Sequence, residues 1–351
     1  MKSVSRRRIT TAIVTCVGIL TIGLIGLGGL VVDYALRAVP VSQLLISHID
    51  DHTYLAALLA RKSQADTAGT SHTQINVIGA SAVRESFLSG NAAMSSALTG
   101  RLGRHVVLDT LASSAQNLRE SLVLVDNAAK GTDCLDFLGI SPLRFQFPEN
   151  APVRIPLRSD ALASFERKRH SSRGARKVLA SYYHWPWLSR WVTARVAKPR
   201  DENVSYVATR YLESLSIPES HLDSEWRRLE AKTPVILRNM TRNMELLATI
   251  IETSISRGCT PVLFEQVHHP ALLELQRPIE DTYRLHLQSL IEKFRLSYLN
   301  YREDIELDES HFADHLHLGI TGKKIFENWF VNEITVSAFV RSADGGACCG
   351  S

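Results

Sequence analysis

The chain is 351 residues long, 45% hydrophobic, and carries a net charge of +4. That length allows one large folded domain or two, and that composition belongs to an ordinary folded protein rather than a disordered or fibrous one. A charge so close to balance gives no ground for an acidic polymer as the partner of the chain as a whole.

Lys2, Arg6, Arg7 and Arg8 precede a run without a charge from Ile9 to Val32. The run is long enough to cross a bilayer. Its basic flank predicts a single-pass anchor with the N-terminus in the cytoplasm and everything after Asp33 outside, periplasmic or extracellular. A cleaved signal peptide is the rival, but its apolar core would be shorter and followed by a small-x-small site; Ala35-Leu36-Arg37-Ala38 fits that poorly. Residues 34–73 read as a connector, with helical periodicity from Val41 to Lys62 and then a small, polar stretch.

The main domain is expected from Gln74 to about residue 330. It opens with a short β-branched run, Ile75 to Ile78, that breaks at Gly79-Ala80-Ser81 into helix-compatible residues. A strand ending this way puts one hydroxyl, that of Ser81, in the crevice at the carboxyl end of a sheet, where ligands of open α/β folds bind. It also sets free helix N–H groups beside it. The alternative is a serine that caps an ordinary strand–helix turn. Further strands are expected at His105 to Thr110, Leu135 to Ile140, Thr260 to Val267 and Leu296 to Tyr301. Helices are expected at Asn117 to Ala129, Leu237 to Ser256, Ile279 to Phe294 and from Thr321.

From about 149 to 233 the α/β alternation is interrupted. Between Ala151 and Arg200 there are 12 Lys/Arg against 2 Asp/Glu, interleaved with Phe165, Tyr182, Tyr183, Trp185, Trp187 and Trp191. This basic segment, Arg154 to Arg200, admits three readings: a solvated helical insertion, a surface on anionic lipid headgroups, or an arginine clamp for an anionic glycan. Nucleic acid is not expected of a domain outside the cell. His268 and His269 follow the fourth strand; two adjacent histidines cannot easily share one metal ion, so they read as loop residues lining the cleft, and no metal or cofactor is expected. Residues 331–351 read as an extension whose end, 342–351, is small and Gly-rich.

Near the C-terminus, Asp314 and His317 stand three apart on a short loop. A carboxylate at that spacing can fix the tautomer of the imidazole and leave its other nitrogen to take a proton. His315 shares the loop at a different offset. An early strand–Gly-x-Ser–helix followed by a late Asp-x-x-His resembles the SGNH (GDSL-like) hydrolase superfamily. Within it, the likeness is to the membrane-anchored members that move acyl groups on cell-envelope polymers. The resemblance implies a three-layer α/β sandwich of about five parallel strands, flavodoxin-like in kind. It implies Ser81 as nucleophile, His317 as general base and then acid, and Asp314 as its orienting partner, with Ser81 and His317 within hydrogen-bond reach or one rotamer of it. For the oxyanion it implies the Ser81 N–H and an N–H of the turn after the second strand, where the family's glycine is replaced by Ala112 or Ala115. The family's asparagine after the third strand has no counterpart in register, and Ser141 or Asn117 would stand in for it. The function implied is an esterase or O-acyltransferase on an ester-bearing envelope or exported glycan. The alternative is a non-catalytic scaffold of the same fold that binds glycan or an assembly partner.

Cys134 and Cys259 each stand just before an apolar run. In a flavodoxin-like order those strands are neighbours, which would bring the sulfurs together on the side away from Ser81. Two buried thiols and a disulfide both fit. Cys16, in the apolar run, reads as a free thiol.

Overall fold

The computed structural model describes residues 51–65, 72–128, 133–155, 157–169 and 226–344, with positions 14–21, 23–24, 26–28, 30–31 and 34 near the N-terminus. The chain forms two compact units: residues 1–64, 154–158 and 170–205, and residues 65–153, 159–169 and 206–351. In the first, the described positions from 14 to 34 are helical, and helix α1 (Asp51–Ala65) overlaps the expected helical stretch. Among the described residues no helix is long and apolar enough to cross a membrane. Of the expected anchor, residues 9–13, 22, 25, 29 and 32 lie outside the description. So do most of the basic insertion, with Tyr182 to Trp191, and the tail from 345.

The second unit is built on a five-stranded parallel sheet, β1 (Thr73–Gly79), β2 (Val106–Ala112), β3 (Cys134–Ile140), β4 (Cys259–Glu265) and β5 (Ser297–Leu299), in the order β2-β1-β3-β4-β5. Helix α2 (Ser81–Arg84) follows β1, α3 (Asn91–Leu102) leads into β2, and α4 (Leu118–Asn127) connects β2 to β3. Between β3 and β4 the described helices include α5 (Asp160–Arg169) and α6 (Thr233–Ser256). Helix α7 (Pro270–Phe294) connects β4 to β5, and α8 (Tyr301–Asp304) and α9 (Ile320–Asp344) complete the unit. The sheet is α/β and parallel as expected, and its helices lie on both faces.

Strand alternation decides which side chains meet which helices. Ile75 and Val77, Leu135 and Phe137, and Val262 and Phe264 join Met94 and Leu98 of α3 and Phe326 and Phe330 of α9 in one core. Phe330 is the centre of that layer, 5.0 Å from Phe264 and 5.5 Å from Phe137 by ring centroids. The opposite face carries α4 and α6 and a buried polar row. Gln74 Nε2 donates to Asn76 Oδ1 and Asp109 Oδ2, both at 2.9 Å, and Asn76 Nδ2 donates to Asp136 Oδ1 at 2.7 Å. Ser254 Oγ of α6 completes the row on Asp136 Oδ2 at 2.6 Å. Burial raises the Asp136 pKa, against the hydrogen bonds of Ser254 and Asn76 and the charge of Arg257.

Cys134 and Cys259 are register partners across β3 and β4, and they are bridged, with Cα atoms 4.5 Å apart. Of the two readings, buried thiols and a disulfide, the bridge is the one formed, because direct register brings the Cα atoms inside the bridging window of roughly 4.4–6.8 Å. Cys16 is a free thiol.

Helix boundaries differ from the sequence reading, and the helix expected from Leu237 already begins at Thr233. Helix α7 begins at Pro270 and passes through Pro278, not at Ile279. A mid-helix proline normally ends a helix, but Leu272 and Gln276 before it are as buried as Ile279 and Tyr283 after it. Helix α9 runs unbroken to Asp344, with Val331 and Ile334 in the same core as Phe330, so no domain boundary falls at residue 330.

Candidate functional site

β1 is buried along its whole length and delivers the chain to Gly79; Ala80 turns it and Ser81 opens α2. Val83 of α2 lies directly over Gly79, and a Cβ there would run into its side chain. The glycine therefore sets how closely the one-turn helix sits on the strand end. β1 has β2 on one side and β3 on the other. The order reverses there, so a crevice opens at the carboxyl ends, and Ser81 stands at its lip. Ser81 is half-buried. Among the described residues its Oγ forms no hydrogen bond, so the expected Ser81–His317 contact is not made in this structure.

The Asp314 loop is a tight closed turn. Phe312 and Leu318 pair antiparallel, and Ala313 N donates to His317 O at 2.8 Å. Gly322 lets α9 start against this loop, since a Cβ there would strike the His311 carbonyl. Asp314 Oδ1 accepts from Leu316 N at 2.7 Å and His317 N at 2.8 Å, so the carboxylate is fixed by its own turn. His317 Nδ1 meets Oδ1 at 2.9 Å and Oδ2 at 2.7 Å. Burial pushes the Asp314 pKa up, but the hydrogen bond and charge of His317 and the Leu316 N–H outweigh it and hold the carboxyl below its usual range. The carboxylate takes the ring of His317 at Nδ1, as expected. His315 instead meets the edge of Trp226, 5.9 Å between centroids.

Buried contacts tie the two motifs together. Lys323, one turn into α9, reaches Glu85, the C-cap of α2, at 3.6 Å, and both side chains are fully buried. Glu327 of α9 accepts from Leu88 N at 2.7 Å and Ser89 N at 2.8 Å. Phe87 packs on Phe330, 5.2 Å between centroids. The segment after Ser81 and the helix after His317 thus form one block.

Ser81 opens onto a cavity of about 370 Å³ whose lining includes Ala115, Ser141, Arg144, Gln266, His268 and Leu316, the residue before His317. The expected oxyanion residues separate here. Ala115 lines the cavity and has φ 49°, the left-handed conformation that glycine favours. Ala112 closes β2, opposite Gly79 in register, and is not in the lining. Ser141 lines the cavity, with Oγ on Gln266 Oε1 at 3.4 Å. Asn117 is not in the lining and is engaged elsewhere: Oδ1 caps α4 through Glu120 N at 3.0 Å, and Nδ2 donates to Pro152 O at 2.9 Å. That correction has a simple cause, since an asparagine three residues before a glutamate is a capping box.

His268 lines the cavity as expected, whereas His269 caps α7 by accepting from Ala271 N at 3.2 Å. Burial, then the charges of Arg302, His315 and His317, push the His268 pKa down to about 3, so the imidazole is neutral. Gln266 and Arg144 were not anticipated. Both lie just beyond the carboxyl ends of strands, β4 and β3, the position that singled out Ser81 after β1. Among the described residues the ligand atoms of Cys134, Asp136 and Cys259 are close enough for an ion, but the two sulfurs are bonded to each other. No family model matches the chain, and no curated protein matches it.

Proposed function

We propose that the chain is a membrane-anchored serine esterase or O-acyltransferase of SGNH type, working on an ester-bearing envelope or exported glycan. The observation that carries this reading is the pairing of Ser81, at the β1/β3 switch point, with an Asp314-held His317 one residue from the wall of the same cavity. In the first half-reaction Ser81 Oγ attacks the ester carbonyl carbon and its proton passes to His317 Nε2. The oxyanion lies on the N–H groups of Ser81 and Ala115. Collapse breaks the bond to the leaving alcohol, which takes the proton from His317, and leaves an acyl-serine. Water in hydrolysis, or a sugar hydroxyl in transfer, then attacks the acyl carbon and gives its proton to His317; collapse breaks the bond from that carbon to Ser81 Oγ, which takes the proton back from His317. Hydrogen bonds between a nucleophile and its base often tighten only in the substrate complex.

Anchoring is supported by the uncharged run and its basic flank. Its described positions are helical, and they turn Val14, Leu20 and Leu30 outward, 66%, 68% and 69% exposed. Large apolar side chains presented this way suit a lipid surrounding better than water. The Cys134–Cys259 bridge supports a domain outside the cytoplasm. Contact of the basic segment Arg154 to Arg200 with anionic headgroups fits the same placement.

The non-catalytic scaffold is the second reading, favoured by the engagement of Asn117 in the α4 cap. Mass spectrometry after fluorophosphonate treatment separates the two. The enzyme requires a stable adduct on Ser81 that disappears in His317→Ala; an unlabelled Ser81 in folded protein leaves the scaffold.

A further inference from the structure

We propose that the Ser81 cavity binds its ligand through an oxyanion group, a carboxylate or phosphate, held by Arg144 with Arg228 and Lys232 at the wall. All three cations line the cavity, and no aspartate or glutamate is among its described lining residues. Arg144 is the informative one. Its side chain is buried, 4% exposed, immediately after β3. It donates only to neutral acceptors, Nη1 to Gly139 O at 2.8 Å and Nη2 to Ser121 Oγ at 2.6 Å. Nε has no hydrogen-bond partner among the described residues.

Other arginines of this unit are treated differently. Arg84 sits on Glu85 at 2.6 Å, Arg257 on Asp126 at 3.0 Å and Arg302 on Glu265 at 2.8 Å. A charge taken out of water is normally retained with an opposite charge in contact. For Arg144, burial outweighs the fields of Glu120 and Tyr283 and pulls its pKa down to about 10, so the guanidinium stays charged at neutral pH. Arg144 is a buried cation on a cavity wall with no carboxylate in contact among the described residues, so its counter-charge comes from the ligand. Guanidinium geometry matches carboxylate and phosphate alike. His268 adds a neutral imidazole with both ring nitrogens unpartnered among the described residues, suited to a ligand hydroxyl beside the anion.

The inference rests on the reading of this cavity as the substrate site, but not on turnover. The test is isothermal titration of the full chain in neutral detergent, at constant ionic strength, with inorganic phosphate, galacturonate and galactose. Saturable binding of phosphate or galacturonate, but not galactose, is expected; which anion binds distinguishes a phosphate-bearing ligand from a uronate. Loss of one charge-assisted contact in Arg144→Gln should weaken binding about tenfold to a hundredfold. Arg228→Gln, at the exposed rim, keeps the test valid if Arg144→Gln fails to fold, and should weaken binding several-fold. Binding of galactose equal to galacturonate overturns the proposal, as does no saturable binding of either anion, or anion binding that a folded variant leaves unchanged. Fluorophosphonate labelling of Ser81 without anion binding would overturn this inference and keep the esterase; anion binding without labelling would do the reverse.

Discussion

Reducing the Cys134–Cys259 bridge should cost more stability than any other single covalent change in this chain. The two residues are 125 apart in sequence. In the chain-entropy relation, closing a loop of that length removes about 5 kcal/mol of unfolded-state freedom at 25 °C. Whole domains are stable by only about 5–15 kcal/mol, so the bridge carries a third of that margin or more. The assay is urea unfolding of the protein prepared without reductant, for the parent with and without added reductant and for Cys134→Ala/Cys259→Ala. Reductant should lower the parent by about 5 kcal/mol and leave the variant unmoved; any further difference between the reduced parent and the variant measures the packing of the two side chains. Of the five cysteines, at most three should react before reduction, since two are bridged. Five reactive thiols in exported, folded material, or a reductant effect below about 1 kcal/mol, would refute the reasoning. A small effect with the bridge present would mean that the unfolded chain is already confined.

Asp314→Asn should cut turnover and Ser81 labelling by about a thousandfold or more, because the imidazole loses the partner that fixes its tautomer. It should also change the acid limb of stability. The folded Asp314 carboxyl lies below its ordinary value, so the pair stabilises fully above the unfolded pKa of about 3.9 and ceases to as pH falls through the lower folded pKa. The variant should therefore be less stable at pH 7 and lose less between pH 4 and pH 2 in urea titrations; an unchanged acid limb would place the stabilisation elsewhere. Lys323→Met removes one of the two cations on the buried Glu85, Arg84 keeping its contact at 2.6 Å, and should destabilise by about 1–3 kcal/mol. A variant as stable as the parent would show that the Lys323–Glu85 pair does not couple the two helices.

The legible parts of this fold are those with a local cause. β3 and β4 are apolar runs flanked by breaks, and the Asp314–His317 contact is made within one turn of chain. What the sequence concealed depends on partners far away in it. Gln74, Asn76 and Asp136 interrupt the apolar pattern of their strands, yet each is satisfied by a neighbour strand or by Ser254 of α6. Pro278 looks like a helix break until the burial on both sides of it is known. Arg144 reads as one arginine among many. Only the absence of a carboxylate in contact with it among the described residues, which pairing across the fold decides, makes it distinctive.

On the proposed SGNH reading, the turn after β2 carries Ala115 where the family's glycine would stand. A glycine there would serve because the backbone is left-handed; Ala115 adopts that same conformation, at φ 49°. Alanine in that region costs about 1–2 kcal/mol relative to a relaxed backbone, so the surrounding structure imposes the turn in spite of the residue. The surroundings are visible: Ser113 N holds the Gly79 carbonyl at 3.3 Å, and Gln116 N returns to Ser113 O at 3.3 Å. The turn is thereby fastened to the end of the strand that carries Ser81. An N–H is present in alanine as in glycine, and what the methyl alters is the space beside it. The substitution thus bears on which acyl groups fit against the turn more than on whether an oxyanion donor exists there. Matched acetyl, butyryl and benzoyl esters would register the difference, with Ala115→Gly expected to widen the range accepted and to leave the smallest ester's rate within a few-fold.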